Sequence, residues 1–207
     1  IGKPNPQKEQ QANRVKDYMN WQIMDQMKEY ESEFDQMLFY LPLSGSAFKK
    51  VYYDELMQRA VSKFIPADDL VVPYTATSLE DCESVIHVIR MSENDLRKKQ
   101  VGGFYRDLEL TPTHLLESEL QEKERKLEGT TRGRDDRVFT ILECHVNVDL
   151  EGFEDMDPTS GEPTGIKLPY IVTLEEGTRK VLSVRRNYDV KDFLKTRIDY
   201  FVHFKFL

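Results

Sequence analysis

No proline interrupts the chain between Pro6 and Pro42, and over that span apolar residues return with helical period. Asn5 supplies an N-cap oxygen, and Pro6 suits the first helical position, where its missing N–H costs nothing. Val15, Met19, Ile23, Met27, Tyr30, Phe34, Met37 and Leu41 recur at spacings of three and four, which places them on one face of a helix. Such a stripe must be buried against something. The ordinary reading is a core-facing stripe, and the other is a subunit interface, so these eight residues form a candidate packing or self-assembly stripe. Ser32-Glu33-Phe34-Asp35 has the form of a capping sequence, which allows a break into two helices near residue 32.

Beyond the Gly45 turn the period changes to two. Phe48, Val51 and Tyr53 predict a strand ending at Asp54. Ala60 to Ile65, Leu70 to Val72 and Ser84 to Met91 predict further short strands, the first two separated by Pro66-Ala67-Asp68-Asp69. Ser92 caps a short amphipathic helix from Glu93 to Val101, ended by Gly102-Gly103. A second helix is predicted from Pro112 to about Glu128, with Thr111 as N-cap. Residues 129–137 combine Gly, Thr and opposed charges and predict a mobile, exposed loop. Four strands follow, Phe139 to Asp149, Ile166 to Leu174, Lys180 to Arg186 and Arg197 to Phe206, and they predict one antiparallel sheet.

The fold class is therefore α+β: a long N-terminal helical segment (1–41), a small mixed strand and helix part (42–137) and a C-terminal antiparallel sheet (138–207). Apolar residues at 39% and a full set of aromatics exclude a disordered chain. No apolar run approaches the roughly 18 residues of a membrane span, so a soluble chain is expected.

Catalytic chemistry finds little to stand on. His87, His114, His145 and His203 lie more than four residues from any other His, and only His145 adjoins a cysteine. Cys144 and His145 are neighbours on a strand and point to opposite faces. Cys82 and Cys144 lack CxxC spacing, which argues against a zinc site or a disulfide framework and fits a reducing compartment. The Gly-bearing segments lack the lysine and spacing of a phosphate-binding loop, and there is no GxSxG elbow. Glu151, Glu154, Asp155 and Asp157 could attract a hard cation, but their spacing is not that of an EF-hand, and a solvated acidic linker is the simpler reading. Catalytic, cofactor-binding and metal-ligating residues are thus expected to be absent, with no cofactor.

The formal net charge of -8 disfavours a chain that binds DNA by itself. Lys49-Lys50, Arg97-Lys98-Lys99, Arg132 with Arg134 and Arg137, and Arg179-Lys180 with Arg185-Arg186 are short clusters. They read as solvated surface, with contact to a passing nucleic-acid backbone as the alternative.

One string is longer than any of these patterns: Phe34-Asp35-Gln36-Met37-Leu38-Phe39-Tyr40-Leu41-Pro42-Leu43-Ser44-Gly45-Ser46-Ala47-Phe48-Lys49-Lys50-Val51-Tyr52-Tyr53-Asp54. It resembles the signature of portal proteins from short-tailed phages and related prophages. Phe64 to Tyr74, then His87 to Ser92 continuing to Gly103-Phe104-Tyr105-Arg106-Asp107, are similar to later blocks of that family in the same order. Asp199 to Leu207 is similar to the segment that precedes the turn into the family's stem. These blocks cover about half the chain, and residues 112–165 carry no resemblance.

The resemblance implies a wing-region fragment, with stem, clip and tunnel loop expected beyond Leu207. It implies no enzyme activity. In the parent it implies self-assembly into a ring, typically of twelve subunits, at the portal vertex of the virion, with assembly in the host cytoplasm. The ring would carry DNA and meet the terminase motor, capsid or scaffold proteins and tail adaptor proteins, with no membrane. A metal-dependent hydrolase or nuclease using the scattered carboxylates with His145 or His203, and a stand-alone DNA-binding module, are the alternatives.

Overall fold

A computed structural model describes residues 5–110, 138–157 and 159–206. In chain order the described elements are α1 (Pro6–Trp21), a π-helical turn (Gln22–Gln26), α2 (Tyr30–Ser44), β1 (Ser46–Asp54), β2 (Arg59–Ile65), β3 (Leu70–Val71), β4 (Ser84–Ser92), α3 (Glu93–Val101), β5 (Val138–Val148), β6 (Leu168–Glu175), β7 (Val181–Arg186) and β8 (Phe201–Lys205). The class is mixed α+β with antiparallel sheets. The chain divides into two compact units, one holding the residues up to Ala67 and those from Asp199 onward, the other Asp68–Ile198.

In the first unit, α1 starts as its sequence dictates. Asn5 stays extended and accepts from the Gln7 amide, with Pro6 behind it. The helix loosens into the π-helical turn, and Met27 leaves helical geometry. The break thus lies at Met27 to Glu29 and not near Ser32, whose hydroxyl donates to the Glu29 carbonyl from inside the first turn of α2. Nor does Pro42 end the segment. Helix α2 runs through it to Ser44, and Gly45 takes the left-handed conformation (φ 72°) with its amide donating to Leu41. That conformation suits a residue without Cβ.

Strands β1 and β2 form a hairpin in which Asp54 accepts from the amides of Leu56 and Met57. On its other side β1 pairs with β8, so that Phe48 stands opposite both Ile65 and His203. The order is β2-β1-β8. The free edge of β2 meets carboxylates of the helical segment: Glu33 accepts the Phe64 amide at 2.7 Å and Glu29 the Ser62 amide at 3.4 Å. The spacings match, because four helical residues rise about 6 Å and two strand residues about 6.6 Å. Glu29 also pairs with Arg59 at 2.8 Å.

The second unit is a five-stranded antiparallel sheet, β3-β4-β5-β6-β7. Ser92 caps α3 by accepting the Asp95 amide, and Leu96 and Gln100 turn inward. Met91, Leu96, Tyr105, Phe139, Ile141 and Leu182 make the core. Gln100 donates to the carbonyl of Leu108, which ties the segment after α3 to the helix.

Two expectations about the sheets are corrected. The strand near the C-terminus does not join the others of 138–207. Ile198 is held by its amide donating to Asn187, Arg197 donates to the carbonyls of Cys82 and Leu79, and only from Phe201 does the chain pair, with β1. Conversely, β3 and β4 belong to the sheet of β5 to β7. The boundaries at 41/42 and 137/138 therefore do not coincide with the compact units, because alternation within a strand sets its two faces and not its partner. The helix expected from Pro112 and the loop at 129–137 lie outside the described residues.

The first unit also buries a cation. Lys49 is 5% exposed, and its ammonium lies 4.2 Å from the Tyr30 ring centroid and 5.1 Å from that of Phe34, with no hydrogen-bond partner. Burial lowers its pKa, against the opposing pull of Glu33. Its protonated form is thus a cost to the folded state, relieved as pH rises through the folded value toward the ordinary 10.5. Lys49→Met keeps the stem and removes the charge. In urea titrations it should raise stability by about 1 kcal/mol at neutral pH and flatten the rise in stability with pH on the alkaline side below 10.5. His203 stacks on Phe48 with ring centroids 4.6 Å apart. Burial first, and the Lys205 charge second, hold its pKa below 6.5. Its contribution is present above that value and lost as pH falls through the folded one. The thermal midpoint should fall as pH drops below 6.5, and fall less in His203→Gln.

Candidate functional site

The stripe from Val15 to Leu41 comes out in two halves. On α2, Met37 is 2% exposed, Tyr30 stacks on Phe34 at 5.9 Å, and Leu41 is half-buried. Tyr30 and Phe34 lie over the Lys49 ammonium, and Tyr40 packs against Phe64 of β2 at 5.5 Å. Ile23 and Met27 occupy the π-helical turn and the break after it, and are half-buried. On α1 the stripe is bare: Val15 is 57% exposed and Met19 53%, and no residue of the helix is buried. Tyr18 borders the bare face, while Trp21, one turn after Asp17, lies on the far side of the helix, their rings 5.7 Å apart. The stripe is therefore core-facing on α2 and exposed on α1.

A helix of this length without tertiary packing is marginal in water. Asn5 and Pro6 set its start, but nothing described covers its apolar side. It can therefore gain stability by giving that side a partner.

The basic clusters divide. Lys49 and Lys50 are buried, contrary to a solvated reading, and each ammonium lies over aromatic rings, Lys50 over Tyr52 and Phe201. Arg97 pairs with Asp107, Lys98 with Asp95, and Lys99 lies over the Phe104 ring at 4.7 Å. Arg185 lies over the same ring at 4.3 Å. Arg132, Arg134 and Arg137 lie outside the described residues. Arg97, Lys98, Arg179, Lys180 and Arg186 are exposed, as a solvated reading expects, and the packed exceptions are Lys49, Lys50, Lys99 and Arg185.

One pair escaped the sequence reading. His145 Nε2 lies 2.7 Å from Glu143, and both side chains are buried on β5. Two residues apart on a strand means the same face, so the spacing could have flagged them. Register places Thr173 opposite Glu143 and Ser183 opposite Thr173, a polar row across β5, β6 and β7. The Thr173 and Ser183 hydroxyls are buried without hydrogen-bond partners. Cys144 points to the other face, as expected, and both cysteines are free and buried, which raises their thiol pKa values. His203 packs in the other unit, and His114 lies outside the described residues.

The linker between β5 and β6 is more ordered than a solvated tether. Asp155 is buried, bonds to Lys195 and accepts from the Thr164 hydroxyl at 2.8 Å. Met156 and Pro163 form an antiparallel bridge around a short turn. Beside Asp155 a cleft of about 280 Å³ opens, walled by Ile166, Pro169, Phe193 and Leu194 with Lys167 and Arg197 at its polar side. Among the described residues, no group of three or more His, Cys, Asp or Glu is placed to hold a metal ion. No described helix is long and apolar enough to cross a membrane.

No protein-family model matches the chain, and no curated protein matches it.

The two halves of the stripe should separate on truncation. Met37→Ala should cost about 2 to 3 kcal/mol in chemical denaturation, as loss of a buried methionine does. Met19→Ala should stay within about 0.5 kcal/mol. Equal costs would place both helices in one core.

Proposed function

We propose that this chain is the wing portion of a portal subunit, a structural protein that closes into a ring with copies of itself at one vertex of a phage head. The reading rests chiefly on the string Phe34 to Asp54, whose unbroken length resembles the family's signature. That string supplies most of α2, the Gly45 turn and β1. One property supports it: the bare face of α1 is a surface of the kind a subunit contact uses.

In this role the wing does no chemistry. Strands β1, β2 and β8 with α2 form a packed body, and α1 extends from it an apolar face toward a neighbour. Lateral contacts would come from such faces, while terminase, capsid or scaffold and tail adaptor proteins would meet other parts of the assembled ring. DNA would pass through the ring, with its contacts made outside this chain, consistent with the chain's -8 net charge.

The test is the assembly state of the full-length protein that contains this chain. Negative-stain microscopy and mass photometry should show closed rings of about a dozen subunits with a central opening. A full-length protein that stays monomeric under every condition would count against the portal reading.

A further inference from the structure

We infer that the exposed apolar face of α1 docks on the acidic hairpin between β5 and β6 of a second copy of this chain, a head-to-tail contact between unlike surfaces. The inference rests on the ring reading only in taking the partner to be a like chain, and the surfaces themselves are independent of it.

The two surfaces complement each other in both apolar content and charge. On α1, residues advance by about 100° each, so Lys8 falls on the stripe of Val15 and Met19, Arg14 and Lys16 flank it on either side, Glu9 stands beside Lys16, and Asp17 lies opposite. The bare face is thus apolar with a border that is basic on balance, three cations against Glu9. The segment from Asp149 to Gly165 has the opposite character. It carries Asp149, Glu151, Glu154, Asp155, Asp157 and Glu162 without a single Lys or Arg. Within it Phe153 is 48% exposed and Met156 51%.

The hairpin is held for presentation. The Asp157 amide donates to Glu162 at 3.0 Å, the Thr164 amide to Asp155 at 2.8 Å, and the Tyr170 hydroxyl to the Phe153 carbonyl at 2.7 Å. One side of the Phe153 ring meets Tyr170 edge-on at 6.0 Å. Backbone amides accepted by Glu154 and Asp157 keep both carboxyls below their ordinary pKa, so the rim stays charged at neutral pH. A surface ordered before contact loses less entropy on binding. Because α1 and the hairpin are different surfaces, each copy offers one to each of two neighbours, the geometry that generates rings or filaments. Charge of opposite sign sets the register and the approach, and two apolar cores exclude water.

Charge reversal separates this contact from others. One variant carries Lys8→Glu, Arg14→Glu and Lys16→Glu. The other carries Asp149→Lys, Glu151→Lys and Glu162→Lys, and spares the carboxylates that hold the hairpin. Unchanged circular dichroism and thermal midpoints confirm folding. By sedimentation velocity up to about 100 µM in about 50 mM salt, the unaltered chain should self-associate reversibly. Each variant alone should associate at least about tenfold more weakly. A one-to-one mixture of the two should recover association, because each reversed surface then meets its opposite. Absence of self-association by the unaltered chain, full association by either variant, or no recovery in the mixture would overturn the contact. Closed rings of full-length protein that survive both reversals would remove this contact and keep the portal reading. Open chains built through a contact that passes the mixing test would do the reverse.

Discussion

Strand β1 has two rows of backbone groups to satisfy, and its hairpin partner β2 satisfies only one. The other row is taken by β8, from the far end of the sequence, with Phe48 opposite His203. That pairing forces the topology of everything between. Residues from Asp68 to Ile198 become an insertion that builds its own core around Met91, Phe139, Ile141 and Leu182. It also leaves β2 at an edge of the sheet, where the helical segment is pinned through Glu29 and Glu33 to the amides of Ser62 and Phe64. An unpaired edge is a site for unwanted pairing with other chains, and carboxylates laid along it block that route.

The pinning of α2 explains why the long apolar stripe is used unevenly. Its second half covers a sheet face and shields the Lys49 ammonium between aromatic rings, where dispersion and cation–π attraction partly offset the lost hydration. Its first half continues past a π-helical turn, a kind of break that tends to mark functional places in helices. Beyond that turn the helix buries nothing. An apolar surface on a helix too short to be stable by itself is a request for a partner, and the acidic hairpin offers a matching one. One sequence pattern thus supplies both a buried face and an exposed apolar one.

Parts of the candidate site were legible from residue order. The eight stripe positions follow from period, and the start of α1 from Asn5 and Pro6. Which half is core and which is surface was not legible, since periodicity shows that a face is apolar but not what stands opposite. The break at Met27 in place of Ser32 had no local signal, because Ser32 satisfies its hydroxyl just as well inside the turn. The order of the acidic linker was hidden for a related reason. Asp155 becomes structural only when Lys195, forty residues away, comes to meet it.

By itself the sequence determined the local elements: where helices α1 and α3 are capped, where alternating residues make β1, β2 and β4 to β7, and that Cys144 and His145 face apart. These depend on backbone geometry within a few residues, which composition and period encode directly. Only the tertiary structure decided that β8 leaves its sequence neighbours for β1, that β3 and β4 join the later strands, that Lys49 is buried and that Val15 and Met19 are not. Each of those outcomes is a choice among partners distant in sequence, and it is set by which edges and faces remain unsatisfied once the nearer pairings have formed.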